Sequence, residues 1–421
     1  MAKLITTAPR GTQDVLPQES YKWHFIEGKL MDLARRYGFS EVRTPTFEHT
    51  GLFDRGVGDT TDIVQKEMYT FQDKGSRSIT LRPEGTAGVA RCVLEHGLLN
   101  NPLPLKLSYL INCFRYEKPQ AGRFREFRQF GAEVFGSQDP AVDAEVIALV
   151  ADIFTTLGIS DIALELNSIG CPNCRPAYHE KLRAYFAQHI DSLCPTCRER
   201  LEKNPLRILD CKNDSCKEVA KGAPLGIDNL CGECADHFAS LKERLTAMDI
   251  PFTVNPQIVR GLDYYTKTVF EFVSTSIGAQ GTVCGGGRYD GLLETLGGPS
   301  TPAIGFAVGL QRLLAVMEND GASLGEPPAC DIFLASIGQG ASVEAQKLAL
   351  RLRRAGLHAE SDVQGRSLKA QMKYADKLGA RYTVVLGDDE VKTGQIKLKR
   401  MDDGQVEETT LEALPALLCE K

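Results

Sequence analysis

Two constellations in the sequence could carry chemistry. The first is a set of eight cysteines arranged as four pairs, Cys171-x-x-Cys174, Cys194-x-x-Cys197, Cys211-x(4)-Cys216 and Cys231-x-x-Cys234. A CPNC or CPTC knuckle presents two thiolates to one tetrahedral zinc, and four pairs supply two such sites. Disulfides and plain buried thiols are the competing readings of the same residues. A zinc held by four thiolates would be structural, because no coordination position stays open for a substrate. The second constellation spans residues 110–136. An apolar run turns polar at Phe114-Arg115-Tyr116-Glu117, passes a tip with Lys118, Pro119, Gln120, Ala121 and Gly122, and returns through Phe127, Phe130, Ala132 and Val134. Around the tip stand Arg123, Arg125 and Arg128. Guanidinium groups grip a polyanion by paired hydrogen bonds that lysine does not reproduce. A solvated charged hairpin is the plainer alternative.

The elements around these residues follow from periodicity. The 110–136 stretch reads as a long antiparallel hairpin, two period-two runs around a basic turn. Trp23, Ile26, Leu30, Leu33, Ala34 and Tyr37 predict a helix after Pro17 that Gly38 stops. Pro45 interrupts a strand-like segment, as at an edge or a break. Residues 79–86 read as a strand, a turn and a helix start, which puts Glu84 and Thr86 where ligand contacts are made; a carboxylate there also suits a helix N-terminus. Asp139-Pro140 caps a helix whose stripe is Val142, Val146, Leu149, Val150, Ile153 and Leu157. Residues 268–273 alternate as a strand. The glycine-dense run 284–291 is placed between strands and lacks the spacing of a dinucleotide fingerprint or a P-loop. Arg312 falls where an apolar strand becomes a helix, and an arginine so flanked needs an anion. Residues 321–328 form a linker. Beyond it, strands at 331–337, 382–386 and 396–398 alternate with helices at 342–355 and 368–378, a small α/β domain with a largely parallel sheet.

A chain of 421 residues with 43% hydrophobic and 25% charged residues has room for two or three domains around substantial cores. A net charge of −6 argues against non-specific nucleic-acid binding by bulk charge but leaves room for a local basic face. No apolar run approaches membrane-spanning length, and the first residues lack the apolar core of a signal peptide, so a cytoplasmic location is expected.

Several segments together carry a family likeness. RGTQDVLP near the start, LRPEGT, FRYEKPQAGRFREFRQFGAEVFG, RGLDYYTKTVFEF and GGGRYDGL make the chain resemble, over essentially its whole length, the bacterial-type histidyl-tRNA synthetases among the class II aminoacyl-tRNA synthetases. The resemblance implies an α+β fold: a catalytic core on an antiparallel sheet over residues 1–326, a small Cys-rich domain inserted at 170–250, and an α/β anticodon-binding domain over 327–421. It implies ATP-dependent attachment of L-histidine to tRNA(His) through a histidyl adenylate, with Mg2+ and a homodimer to which Pro45 belongs. Arg115, Glu117, Arg123 and Arg312 would hold ATP, with Phe124 and Phe127 flanking adenine. Glu84, Thr86, Gln129, Glu133, Tyr264 and Tyr265 would surround histidine. Arg260 would be catalytic, between the histidine carboxylate and the α-phosphate, in a role elsewhere given to a metal ion. Lys118 and Gln120 would approach the acceptor end of the tRNA. One position departs from the pattern: Gln311 stands where an acidic residue usually precedes the arginine, which bears on the number of magnesium ions. A non-catalytic paralogue regulating histidine biosynthesis is the main rival; such chains usually lack the C-terminal domain and degrade the RGLDYY signature, and both are intact here. A zinc-dependent nucleic-acid-binding module with a dead core is the second, and the intact arginine set argues against it.

Overall fold

The computed structural model describes residues 5–58, 61–119, 122–211, 213–275 and 281–421. It divides into two compact units, Met1–Gly325 and Glu326–Lys421. Among the described residues no helix is long and apolar enough to cross a membrane.

The first unit carries β1 (Ser40–Glu41), β2 (Phe47–His49), β3 (Tyr69–Gln72), β4 (Ser78–Leu81), β5 (Leu105–Phe114), β6 (Glu126–Phe135), β7 (Ala163–Ser168), β8 (Thr253–Val254), β9 (Thr266–Val273), β10 (Thr282–Arg288) and β11 (Ala303–Gly309). Eight of these form one sheet in the order β1-β5-β6-β11-β10-β9-β7-β8. Its centre is antiparallel throughout, and the short strands β1 and β8 add parallel edges. Strands β2, β4 and β3 make a small separate sheet. The expected hairpin is β5 and β6, paired from Leu105 opposite Phe135 to Phe114 opposite Glu126.

Strand alternation sends the two faces of this sheet to different tasks. On β6, Phe130, Ala132 and Val134 join one large core, into which the helices Pro17–Arg36, Pro140–Thr156 and Leu310–Asp320 press Leu30, Val150, Ile153 and Leu313. Each aliphatic side chain so buried contributes about 2 kcal/mol. The Pro140–Thr156 helix starts where expected, its Asp139 carboxylate accepting from the Ala141 N–H at 2.8 Å. The other face carries Tyr109, Ile111 and Cys113 beneath the Thr86–Glu95 helix, and it also carries the chemistry.

The glycine-dense run 284–291 is not a connection between strands. Cys284 to Arg288 lie within β10, between β9 and β11 at the centre of the sheet. Glycine weakens a strand intrinsically, yet a Cβ on Gly286 would stand 2.5 Å from the Phe270 ring and 2.4 Å from the Gly305 carbonyl oxygen. Packing overrides propensity there.

Between β7 and β8 the chain leaves the sheet for a helical insertion comprising Arg175–Ala187, Pro195–Lys203, Leu206–Leu209, Asp214–Ala220 and Gly232–Ala247. Its own core is small: Tyr178, Leu182, Phe186, Leu201, Ile208 and a few neighbours.

The second unit has a sheet of β12 (Ile332–Ser336), β13 (Ala359–Ser361), β14 (Tyr382–Leu386), β15 (Gln395–Arg400) and β16 (Val406–Thr410), in the order β13-β12-β14-β15-β16. Its helices Gln339–Arg354 and Leu368–Lys377 match the expected ones closely. The sheet is mixed rather than largely parallel: β13, β12 and β14 run parallel, whereas β15 and β16 are antiparallel additions. Short connections, the Asp388–Thr393 helix and a tight turn, explain this, because a parallel return needs a dozen residues or more.

Candidate active site

One cavity of about 930 Å³ opens on the chemical face of the large sheet. Its floor is made by omission. Gly305 and Gly131 flank Glu133 and Gln129 in the register, and Gly285 and Gly287 continue the clearing on β10. A Cβ on Gly131 would stand 2.3 Å from the Tyr109 hydroxyl oxygen, and one on Gly305 1.7 Å from a Glu133 carboxylate oxygen. The glycines let polar side chains lie flat on the sheet.

Glu133 is the hub. It is 1% exposed and accepts from the Thr86 hydroxyl at 2.7 Å, the Tyr109 hydroxyl at 3.0 Å and the Tyr289 hydroxyl. Burial pushes its carboxyl up to about 8, the nearby Glu84 charge pushing the same way, against the pull of these donors. Glu84 lines the cavity and also caps the Thr86–Glu95 helix, accepting from the Thr86 and Ala87 N–H groups, each at 2.8 Å. Burial raises its pKa too. Gln129 accepts the Gly85 N–H at 3.1 Å. The Tyr264 ring lies 4.7 Å from Tyr265 and 5.4 Å from Tyr289, closing an aromatic wall.

A cationic rim stands above this floor. Arg115 donates from Nε to the Pro83 carbonyl at 2.8 Å and lies 5.3 Å from the centre of the Phe127 ring. Glu117 sits between two guanidinium groups, 3.0 Å from Arg123 and 3.8 Å from Arg115. Arg312, Phe124 and Phe127 line the same cavity. Burial lowers the pKa of Arg312, and the like charge of Arg123 adds to it. Arg260 pairs with Glu271, and its buried Nε has no hydrogen-bond partner among the described residues. Gln311 turns its amide oxygen to the Arg128 N–H at 3.0 Å.

Two basic residues of the hairpin do other work. Arg125 stacks 3.7 Å from the centre of the Tyr116 ring, and Arg128 pairs with Glu27 at 2.7 Å. Neither lines the cavity, so the anion-gripping set from the hairpin reduces to Arg115 and Arg123. Lys118 is exposed near the tip; Gln120 lies outside the described residues.

The eight paired cysteines gather into two clusters, Cys171, Cys174, Cys231 and Cys234 in one and Cys194, Cys197, Cys211 and Cys216 in the other, with the sulfurs of each within 4.8 Å of one another. All are free thiols. A tetrahedral zinc with bonds of about 2.3 Å needs sulfurs about 3.8 Å apart. Cys171 lies 3.6 Å from Cys174 and 3.9 Å from Cys231, and Cys194 lies 3.9 Å from Cys211. Backbone N–H groups of Cys231 and Cys194 point at the sulfurs of Cys174 and Cys216, at 3.1 and 3.2 Å. Burial would raise the Cys171 thiol, but N–H groups of Cys174 and Asn173 outweigh it and bring it down to about 7. Both clusters could hold a metal ion.

A family model described as Histidyl-tRNA synthetase matches residues 11–174 and 179–313, and one described as Anticodon binding domain matches 331–421. A histidine–tRNA ligase of Acetivibrio thermocellus is 57% identical over 411 residues, covering 98% of this chain and 99% of that one. One of Clostridium perfringens is 53% identical over 406 residues, covering 96% and 97%. Among solved structures, apo histidyl-tRNA synthetase of S. aureus superposes with a TM-score of 0.85 at 42% identity, covering 98% of this chain and 100% of that one. The chain belongs to the histidyl-tRNA synthetase family.

Within that family frame, the cavity brings together Glu84, Thr86, Arg115, Glu117, Arg123, Phe124, Phe127, Gln129, Glu133, Arg260, Tyr264, Tyr265 and Arg312. Three further residues belong with them and were not singled out from the sequence: Tyr109, Tyr289 and Glu271. Tyr289 sits in the GGGRYDGL signature, and Glu271, opposite Gly285, interrupts the apolar run from Val269 to Val273, so both left a trace. Tyr109 reads as an ordinary core residue, and nothing in its neighbours distinguishes it.

Proposed function

We propose that the chain activates L-histidine with ATP and transfers it to tRNA(His), releasing pyrophosphate and then AMP. The observation that carries this reading is one cavity joining a floor of buried carboxylate, amide and phenol groups to a rim of guanidinium groups. On this reading Glu84, Thr86, Gln129, Glu133, Tyr264 and Tyr265 hold histidine, the charged amino group at the carboxylates and the imidazole among the polar groups. A site built from buried hydrogen-bonding groups strongly rejects analogues that leave them unpaired. Tyr109 and Tyr289 keep Glu133 in place.

Arg115, Arg123 and Arg312 receive the phosphates, Glu117 the ribose or adenine side, and Phe124 and Phe127 the base. The repulsion between Arg123 and Arg312 is what a polyphosphate lying between them would relieve. Arg260 serves as the catalytic cation: its orphaned Nε and low exposure suit the anionic oxygens that meet when the histidine carboxylate attacks the α-phosphorus. That attack forms the mixed anhydride and breaks the bond to pyrophosphate. Fixed cations stabilise the developing charge without rearranging. In the second step the terminal ribose hydroxyl of the tRNA attacks the anhydride carbonyl, AMP leaves, and a phosphate oxygen takes the proton.

Magnesium would come with ATP, held chiefly by phosphate oxygens. The candidate protein ligands Glu117 and Glu271 already face arginines, and Gln311 offers no charge. Zinc fits both cysteine clusters as a structural ion. Lys118 and Gln120 approach the acceptor end, residues 327–421 read the anticodon, and residues 170–250 act as an inserted domain on the 1–326 core. The small sheet leaves Phe47 and Phe71 exposed, an apolar face suited to a second copy in a homodimer. The setting is cytoplasmic.

The test is pyrophosphate exchange into ATP, with each standard amino acid supplied separately and no tRNA. Exchange with histidine alone is expected. No exchange with any amino acid, from folded protein that binds ATP, would overturn the reading in favour of a non-catalytic regulator.

A further inference from the structure

Residues 260–265 supply Arg260, Tyr264 and Tyr265 to the cavity, yet they form neither helix nor strand. Ladder hydrogen bonds therefore do not place them. Both cysteine clusters reach this stretch instead. From the cluster of Cys194, Cys197, Cys211 and Cys216, Arg207 donates its Nη1 to the Arg260 carbonyl at 2.9 Å, and Asn204 donates to the Asp263 carboxylate at 3.2 Å. Arg207 lies between Cys197 and Cys211 and is 5% exposed, an unusual place for a cation whose nearest acidic partner, Asp210, is 3.7 Å away.

The other cluster holds the far end. Arg175, the residue after Cys174, donates to the Tyr265 carbonyl. The Lys267 N–H donates to the Gly170 carbonyl at 2.9 Å, and the Ile169 N–H donates to the Lys267 carbonyl at 2.8 Å. Lys267 itself is left-handed, with φ of 48°, and its ammonium meets Glu233, between Cys231 and Cys234, at 2.6 Å. A lysine held in that conformation persists only where its surroundings over-determine it.

We propose that the two cysteine clusters brace residues 260–267 from either end, with Arg175 and Arg207 as positioning residues for the histidine site. This rests on the reading of the cavity as that site. The clusters are then more than staples of the insertion: losing either loosens the loop that carries Arg260, Tyr264 and Tyr265. A guanidinium suits the task because its planar fork fixes a direction at the carbonyl that an ammonium would leave free.

The test compares the full zinc-loaded chain with Arg175→Ala, Arg207→Ala and a control, Arg198→Ala. Arg198 makes the same kind of bonds, to the Leu193 and Asp191 carbonyls, but inside the insertion. Amide hydrogen exchange is followed over peptides spanning residues 258–268, with zinc content measured alongside. Exchange there is expected to quicken about tenfold or more in the two test variants at unchanged zinc content, and in the parent chain after chelation, and not in the control. In pyrophosphate exchange, the same two variants should raise the KM for histidine about tenfold, the KM for ATP holding within twofold, since small misplacements at a reacting centre are costly. Unchanged protection in both variants, or an equal loss in the Arg198→Ala control, would overturn the brace. Protection that survives chelation would overturn the part played by the clusters. A parent chain without histidine-dependent exchange would sink the reading of the cavity instead, and the hydrogen-exchange arm would still decide the brace.

Discussion

Replacing Glu133 by glutamine separates what this carboxylate does for the fold from what it does for the substrate. Folding raises its pKa from the ordinary 4.5 to about 8, chiefly through burial, so the folded chain holds the proton more tightly than the unfolded chain does. The stability this contributes is complete below pH 4.5 and shrinks as pH rises toward 8. At about 1.4 kcal/mol per pH unit, the loss between pH 4.5 and 7 is about 3 kcal/mol, and glutamine does not incur it. The amide oxygen can still accept from Thr86 and Tyr109, and the Tyr289 hydroxyl can turn to accept from the amide NH2. The thermal midpoint of Glu133→Gln should therefore vary less than the parent's between pH 5 and pH 8. Substrate feels the opposite effect. On the proposed reading, the histidine ammonium draws the proton off Glu133 and pairs with the carboxylate; glutamine cannot supply that anion, a loss that costs about 2–5 kcal/mol, or a fall in kcat/KM of about thirtyfold or more. Pyrophosphate exchange against histidine concentration at pH 7.5, with thermal unfolding from pH 5 to 9, reads both effects. A variant within threefold of the parent kcat/KM, or one sharing its pH slope of stability, would refute the reasoning.

Gly285→Ala should hurt catalysis more than folding: the new Cβ would come 2.3 Å from Arg260 Nη2, the movable end of a side chain, so the guanidinium shifts while the sheet survives. We expect kcat in pyrophosphate exchange to fall tenfold or more with a near-parental thermal midpoint. Asp143→Asn should do the reverse, stripping the counter-charge 2.6 Å from a fully buried Arg288 at a cost of about 3–5 kcal/mol, seen in denaturant unfolding, with activity kept at low temperature. Protein purified without chelators should carry two zinc ions per chain by metal analysis, and serine at the fully buried Cys197 should remove one of them. A chain ending at Gly325 should retain histidine-dependent exchange and lose tRNA charging, because the second unit has a hydrophobic core of its own built on Ile332, Leu334, Leu348 and Val384.

What could be read in the sequence depended on whether a residue's situation was local. The β5–β6 hairpin was legible because period-two runs flank a turn, and Asp139-Pro140 because a cap acts within one helical turn. Arg312 stood out as a charge between apolar residues, which needs a partner wherever the chain places it, and Glu84 by its place where a strand gives way to a helix, whereas Glu133 was marked only by the family resemblance. Residues whose role is set by a neighbouring strand were not legible. Tyr109 serves Glu133 only because Gly131, opposite it, lets the ring lie across the sheet, and β10 is a strand only because Phe270 and Phe306 fill the space its glycines leave. For the same reason Arg125 and Arg128 looked equal to Arg123 in the sequence and differ in space by the partners Tyr116 and Glu27. The cysteines fall between these cases. Spacing indicated four pairs but left open which pairs join, and the structure nests one cluster inside the other. The outer cluster ties the point where the insertion leaves β7 to the helix that returns it toward β8, and β7 pairs with β9, whose second residue is Lys267. The inner cluster folds the excursion back toward Arg260. Nesting is thus what lets the insertion reach both ends of the short segment 260–267.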